Sequence, residues 1–408
     1  MTYQRLDPAK HSWITARETT SVMSALTAKG GEARFVGGAV RNAIVGEEVT
    51  DIDIATTLDP DAYMSAFENA GIAVVPTGIE HGTVTAIVNG QPFEITSLRQ
   101  DVSTDGRRAT VAFTRDWEKD AARRDFTMNA IYADMNGRLF DFAGGIADLH
   151  AGRVVFVGDP NARIREDYLR ILRFFRFHAW YGKGAPDQSA MDAAEKNKAG
   201  MKLLSGERIR KELLRLLEAS DPEPAINAMH RLEILGEILP APANLERLSS
   251  LVAVARRKKM ARGPIISLAA LLPSEQAARA AASRLRLSNA ESTQLFDILS
   301  DYSKITPRLS SREMTRLLYR FRKERFGELA LLACAEEPDS PAWDAVFARA
   351  GEWVRPHFPI DGHDVLEAGA REGPSVGQLL SALEDWWVEE DFAPDRSALL
   401  ARLEDLVR

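Results

Sequence analysis

The sequence predicts an α+β fold: a small head built on a mixed sheet with helices, followed by a long all-helical arm. Three observations carry this. Short apolar runs of strand length recur only in about the first 155 residues. Beyond about residue 160 the apolar residues recur at helical rather than strand spacing. Proline then punctuates the chain at intervals that suit helices.

Taken in order, Arg34-Phe35-Val36, Asp51-Ile52-Asp53-Ile54, Thr83 to Val88 and Pro92 to Thr96 read as strands. Asn89-Gly90 is a hairpin turn between the last two, because both residues tolerate the positive φ that such turns need. Asp59-Pro60 opens a helix that runs through Phe67, with Pro60 near its first turn. Asp101 to Asp116, DVSTDGRRATVAFTRD, reads as a polar loop between apolar strands. It has little to bury and is expected to be mobile. Pro160 to Tyr181 reads as one helix. In Glu207–Ala219, Ile209, Leu213, Leu216 and Leu217 fall at i, i+4, i+7 and i+8, one face of a helix. Pro222, Pro224, Pro240, Pro242, Gly263-Pro264, Pro273, Pro307 and Pro341 mark later breaks. The expected organisation is a head over 1–155, a helical neck over 156–225, a helical body over 226–330 and a helical tail over 331–408.

The composition belongs to an ordinary globular chain: 408 residues, 45% hydrophobic and 27% charged. Disordered, collagenous and low-complexity classes are excluded. No run of about 18 apolar residues exists, so no membrane-spanning helix is expected. The start, MTYQRLDPAKHSW, lacks the apolar core of a secretory signal. One cysteine, Cys334, rules out an intrachain disulfide and a cysteine metal cluster. A reducing cytoplasm is the expected location. The net charge of −7 hides an asymmetry: residues 251–330 hold 16 Lys/Arg against 7 Asp/Glu, and residues 351–408 hold 5 against 13. Such blocks are either solvated helix faces or a positive patch suited to nucleic acid.

The strongest chemical signal is Phe35-Val36-Gly37-Gly38-Ala39-Val40-Arg41-Asn42 followed by Asp51-Ile52-Asp53. Paired glycines after a strand let backbone N–H groups approach a phosphate. Arg41 offers a planar fork for phosphate oxygens. Residues i and i+2 of a strand share a face, so Asp51 and Asp53 present two carboxylates side by side. Hard oxygen ligands with open positions suit Mg²⁺, and two such ions can activate a hydroxyl and stabilise a leaving phosphate. Either half alone is weak, since a DxD is commonly a solvated pair. The order and strand context together point to catalysis. Glu94, between Phe93 and Ile95, is either the exposed residue of an edge strand or a third acid facing Asp51 and Asp53.

These segments, with His81-Gly82-Thr83, Arg123-Arg124-Asp125-Phe126-Thr127-Met128-Asn129-Ala130, Glu166-Asp167-Tyr168-Leu169-Arg170 and Ser205-Gly206-Glu207-Arg208-Ile209, carry a resemblance. The head resembles the DNA-polymerase-β-type nucleotidyltransferases. The full set resembles the class II tRNA nucleotidyltransferases (CCA-adding enzymes) and the related bacterial poly(A) polymerases. The match is strong over about 30–220 and weaker in Ile360–Val365 and Gly373–Gly377. One departure is Asn42, where such enzymes usually carry Asp. The resemblance implies that Asp51 and Asp53 hold the metals, with Glu94 as the third acid. It implies that Gly37, Gly38 and Arg41 meet the triphosphate with Arg124 nearby. It also implies that Asp167 and Arg170 read the base, with Arg173 and Arg176 in the nucleotide pocket.

Base reading also follows from chemistry. Cytosine and adenine both offer an amino donor beside a ring-nitrogen acceptor. An Asp accepts from the first and an Arg donates to the second, whereas guanine and uracil mismatch both groups. On one helix Asp167 and Arg170 would be i, i+3 neighbours, and the plain alternative is a helix salt bridge. Phe174, Phe175 and Phe177 read as core rather than as base-stacking platforms.

The implied activity is template-independent addition of C, C and A to the 3′ end of tRNA from CTP and ATP, with Mg²⁺ as cofactor and the acceptor arm as partner. Arg256 to Lys259 and Arg312, Arg316, Arg320, Arg322, Lys323 and Arg325 would meet its phosphates. Alternatives are a poly(A) polymerase, a CC-only enzyme and a non-catalytic RNA-binding relic. His363-Asp364 suggests a metal-dependent hydrolase only in isolation. In the resembling enzymes the segment 101–116 helps the pocket change from C to A, so complete CCA synthesis is expected.

Overall fold

The computed structural model describes residues 5–28, 30–79, 82–105 and 108–407; for 101–111 the description is of backbone alone. His81, Gly106 and Arg107, singled out above, lie outside the described residues. The chain forms two compact units, Met1–Leu239 and Pro240–Arg408.

In the first unit the described strands are β1 (Ala33–Val36), β2 (Ile52–Thr56), β3 (Ala73–Gly78), β4 (Thr83–Val88), β5 (Gln91–Ser97), β6 (Arg99–Asp105), β7 (Arg108–Phe113), β8 (Ile131–Ala133) and β9 (Leu139–Asp141). Seven of them form a mixed sheet in the order β3-β4-β5-β2-β1-β8-β9. β2 lies inside this sheet, antiparallel to β1 and parallel to β5. Ile52, Ile54, Phe93 and Ile95 point to one face and are buried. The turn at Asn89-Gly90 has positive φ at both residues, 51° and 82°, as expected of a two-residue hairpin. Asp59 caps the helix Pro60–Asn69 by accepting from the Ala62 N–H at 2.9 Å.

Two expectations need correction. The polar stretch after residue 101 is not a loop: β6 and β7 pair as an antiparallel ribbon with a register shift between Asp101 and Ser103. Backbone pairing between β6 and β7 outweighed the polar composition. The expected helix Pro160–Tyr181 is two helices, Pro160–Glu166 and Leu169–Tyr181. Asp167 breaks it by adopting an extended conformation, φ −155° and ψ 106°. Its carboxylate accepts from the Leu169 N–H at 3.1 Å, a local side-chain bond that competes with helix continuation. The helix Gly206–Leu217 follows, and Ile209, Leu213, Leu216 and Leu217 are all buried.

The second unit's regular secondary structure is all helical among the described residues, and its two charge blocks meet. Arg312 and Arg316 of the helix Ser311–Phe321 both pair with Asp391, and Arg316 also donates to the Glu389 carbonyl. Arg257 donates to the Pro338 carbonyl at 2.8 Å, and Lys258 pairs with Asp344. Several basic residues expected to face phosphates are therefore engaged within the unit. Asp361 caps the helix Gly362–Glu367, Asp364 accepts from the Asp361 N–H at 3.0 Å and from Arg396 at 2.6 Å, and His363 sits exposed beside Glu367. The His-Asp pair is a structural element of the tail. No helix in the described residues is long and apolar enough to cross a membrane.

Leu213, on the helix Gly206–Leu217, is fully buried. Leu213→Ala should lower stability by about 2–5 kcal/mol through the cavity it leaves, read as a lower urea midpoint by circular dichroism.

Candidate active site

The site is built around the turn that ends β1. Gly37 adopts φ 69° and ψ −126°, which a side chain would strain, and the helix Gly38–Val45 starts immediately after it. A Cβ on Gly37 would lie 3.5 Å from Asp53 Oδ2 and 3.9 Å from Arg124 Nη1. One on Gly38 would lie 3.8 Å from Arg41 Nη2. The bare turn is thus flanked by a carboxylate and two guanidiniums. No side chain caps the helix, so its first N–H groups remain available at the same place.

The acids come from neighbouring strands. The parallel register sets Asp53 of β2 opposite Glu94 of β5, and adjacent residues in register share a face. Asp51 immediately precedes β2. β5 lies between β4 and β2, so Glu94 is not on an edge strand. The Asp53 carboxyl is pushed up to about 6, first by burial and then by Glu94, with Asp51 adding to it; Arg124 and Arg41 pull the other way without prevailing. Surplus negative charge in an all-oxygen donor set fits a hard divalent cation. Among the described residues no group of three His, Cys, Asp or Glu side chains gathers closely enough to enclose a metal alone.

Arg124 is fixed from behind. Its Nε donates to the Tyr132 hydroxyl at 3.1 Å and its Nη2 to Asp120 at 3.1 Å. Asp120 is fully buried and also accepts from Arg123 and Tyr132, at 2.8 Å and 2.7 Å. Burial alone would raise its carboxyl, but Arg124, Arg123 and Tyr132 outweigh that and hold it down at about 2. Arg163 then donates to the Arg124 carbonyl at 2.8 Å, tying the neck to this motif.

Arg41 is buried, 8% exposed, and donates to Asn129 Oδ1 at 2.6 Å, Asn42 Oδ1 at 3.0 Å and the Tyr181 hydroxyl at 3.0 Å. Phe177 and Tyr181 present ring faces to it. Arg173 and Arg176 also lie against Phe177, so Arg176 does reach this region. Arg173 pairs with Asp125, and Glu212 accepts from Arg176 at 2.5 Å. Phe174, Phe175 and Phe177 are core, as expected.

Asp167 and Arg170 are not the helix pair that their spacing predicted. Asp167 sits in the break and pairs with Arg208 at 2.7 Å. Arg170 donates to Glu166 at 2.5 Å and to the Arg163 carbonyl at 2.9 Å. The sequence reading missed Asp120, Tyr132, Tyr181 and Glu212, and gave no role to Asn129 and Arg208, which it held only as motif members. Glu212 had a signal, an acid inside the apolar stripe between Ile209 and Leu213. Asp120, four residues before Arg124, had a weaker one. Tyr181 had none.

The Poly A polymerase head domain family matches residues 33–155. The family described as "Probable RNA and SrmB- binding site of polymerase A" matches residues 186–245. The mouse (Mus musculus) "CCA tRNA nucleotidyltransferase 1, mitochondrial" is 34% identical over 381 residues, 91% of this chain and 86% of that protein. The chain belongs to the CCA tRNA nucleotidyltransferase family. The Bacillus stearothermophilus CCA-adding enzyme, solved in complex with CTP, superposes with a TM-score of 0.73 at 26% identity, covering 96% of this chain and 97% of that one. The Thermotoga maritima CCA-adding enzyme, solved complexed with tRNA-CCA, shares the fold with a TM-score of 0.63 at 19% identity over 99% and 97% of the two chains.

Asp120→Asn should destabilise the protein at neutral pH by about 2–4 kcal/mol, because it breaks a buried charge network. The wild-type carboxyl is depressed below its ordinary 3.8, so its stabilisation is present above that pH and is lost as pH falls through about 2. Thermal melts across pH should show this acid-labile component in the wild type and not in the variant.

Proposed function

We propose that this chain adds C, C and A, without a template, to the 3′ end of tRNA, using CTP and ATP and releasing pyrophosphate. The observation that carries the reading is the convergence at Gly37 of Asp53, the Arg124 guanidinium and the start of an uncapped helix. In this reading the 3′ hydroxyl of the tRNA attacks the α-phosphate, and the bond to the β-phosphate breaks. Asp51 and Asp53 hold divalent cations, Mg²⁺ by donor chemistry, with Glu94 as the neighbouring third acid. When bound, these ions supply hydroxyl activation and charge neutralisation at the leaving phosphate. Gly37, Gly38 and the helix N–H groups leave room for the triphosphate, which Arg41 and Arg124 orient.

The Asp167 carboxylate and the Arg170 guanidinium read the pairing edge of the incoming base, with Arg173 and Arg176 behind them. Each is held by a protein partner, Arg208 and Glu166, so base recognition exchanges or shares these bonds. Head and neck, to about residues 155 and 225, carry the nucleotide chemistry. Body and tail, divided near residue 330, carry the tRNA acceptor arm. The single cysteine, Cys334, is buried, which suits a reducing compartment such as the cytoplasm.

Asp53→Ala should abolish incorporation of both C and A while tRNA binding survives, measured by incorporation assays and filter binding with tRNA lacking its end. Turnover near the wild-type level would remove the metal assignment. Sequencing the wild-type product separates a single CCA end from an A run or a CC end. Asp167→Ala should weaken rejection of UTP and GTP by roughly one to two orders of magnitude, since a good bidentate base contact is worth about 1–3 kcal/mol. Unchanged rejection would exclude Asp167 as the base reader.

A further inference from the structure

Burying an arginine is costly unless its charge is compensated, and this unit shows two solutions. Arg124 is paired with Asp120, Arg170 with Glu166, Arg173 with Asp125 and Arg176 with Glu212. Arg41 is different. Every hydrogen-bond acceptor on it among the described residues is neutral: Asn129 Oδ1, Asn42 Oδ1 and the Tyr181 hydroxyl. The two rings against it are also uncharged. Its guanidinium is shifted downward, first by burial, with Tyr181 and the more distant Asp125 opposing.

Asn42 is the junction of this arrangement. Its Oδ1 accepts from Arg41 Nη2 at 3.0 Å and from the Tyr181 hydroxyl at 3.0 Å. Its Nδ2 donates to the Glu48 carbonyl at 2.9 Å, on the segment that leads into Asp51. An amide can do both; a carboxylate can only accept. A carboxylate here would also place a negative charge within hydrogen-bond distance of the one buried cation in this set that has none.

We propose that Asn42 is an affinity-determining residue for the triphosphate, because it positions Arg41 by neutral hydrogen bonds and keeps a carboxylate out of hydrogen-bond contact with the guanidinium. The proposal rests on the reading that Arg41 meets the triphosphate. It gives the departure from the family's usual Asp a physical consequence: this chain keeps the position of the guanidinium and withholds the counter-charge.

The test compares Asn42→Asp, Asn42→Ala and Arg41→Met, with inorganic tripolyphosphate as a competitive probe of CTP incorporation. Both Asn42 variants lose the donor to Glu48; Asp keeps the acceptors for Arg41 and Tyr181 and adds a charge, whereas Ala removes those acceptors and adds none. Aspartate is isosteric with asparagine and the site is half-buried, so the fold should persist, which thermal melting checks. Asn42→Asp should raise the tripolyphosphate inhibition constant about ten-fold, the scale of one charge-assisted bond, and raise KM for CTP and ATP by the same factor. Its KM for tRNA should move less than about two-fold, since the RNA contacts are unaltered. Asn42→Ala, which removes the positioning bonds without adding a charge, should raise the same inhibition constant about three-fold, less than Asn42→Asp does. An equal or larger rise in Asn42→Ala than in Asn42→Asp would overturn the proposal, because geometry and not charge would then be the cause. If Arg41→Met leaves tripolyphosphate inhibition unchanged, the underlying assignment of Arg41 fails instead.

Discussion

Packing several guanidiniums into one interior is possible only if each is matched by an acid or by an incoming anion, and the first unit is organised by that constraint. Asp120 is placed to serve Arg123 and Arg124 together, and Glu166 to serve Arg163 and Arg170. Glu212 reaches out of an otherwise apolar helix face to Arg176. The Asp120 and Glu166 pairs are local, three or four residues apart, whereas Glu212 with Arg176 and Asp125 with Arg173 join segments far apart in sequence and so tie the Arg-Arg-Asp motif and the helix Gly206–Leu217 to the helix Leu169–Tyr181. The acids of β2 and β5 have the opposite problem, too many like charges at one place. The bare glycine turn lies where these two imbalances face each other.

Much of this was legible in the sequence. The strands β1, β2, β4 and β5 showed as apolar runs bounded by turn residues, and the helix Gly206–Leu217 as a single apolar stripe. Asp53, Glu94, Gly37, Gly38, Arg41 and Arg124 converge as motif order suggested, because strand alternation and sheet register fix which side chains share a face. What stayed hidden depended on side chains meeting across long separations. Tyr181 is 140 residues from Arg41, and no local pattern announces that bond. The helix break at Asp167 turned on one carboxylate finding the Leu169 N–H, a competition that periodicity cannot resolve. The ribbon of β6 and β7 was misread because polar composition says nothing about whether backbone groups find partners.

The second unit teaches a related lesson about charge. Blocks of opposite sign in sequence suggested a basic surface for RNA beside an acidic tail. Arg312 and Arg316 instead meet Asp391, so part of the asymmetry is internal neutralisation within the unit. A count of cations along a chain overstates the charge left for a partner whenever the acids that follow fold back onto it.

The parallel register of β2 with β5 also bears on how such a chain can change length over time. Side chains alternate along both strands, so an insertion or deletion of one residue would exchange Asp53 or Glu94 for an isoleucine or a phenylalanine in a single step. No graded intermediate exists between a sheet that faces its acids inward to the turn and one that buries them in the core. The β6–β7 ribbon stands outside the seven-stranded sheet and can lengthen or shorten without disturbing that alternation. A change of length in the ribbon therefore leaves the alternation that places the acids intact.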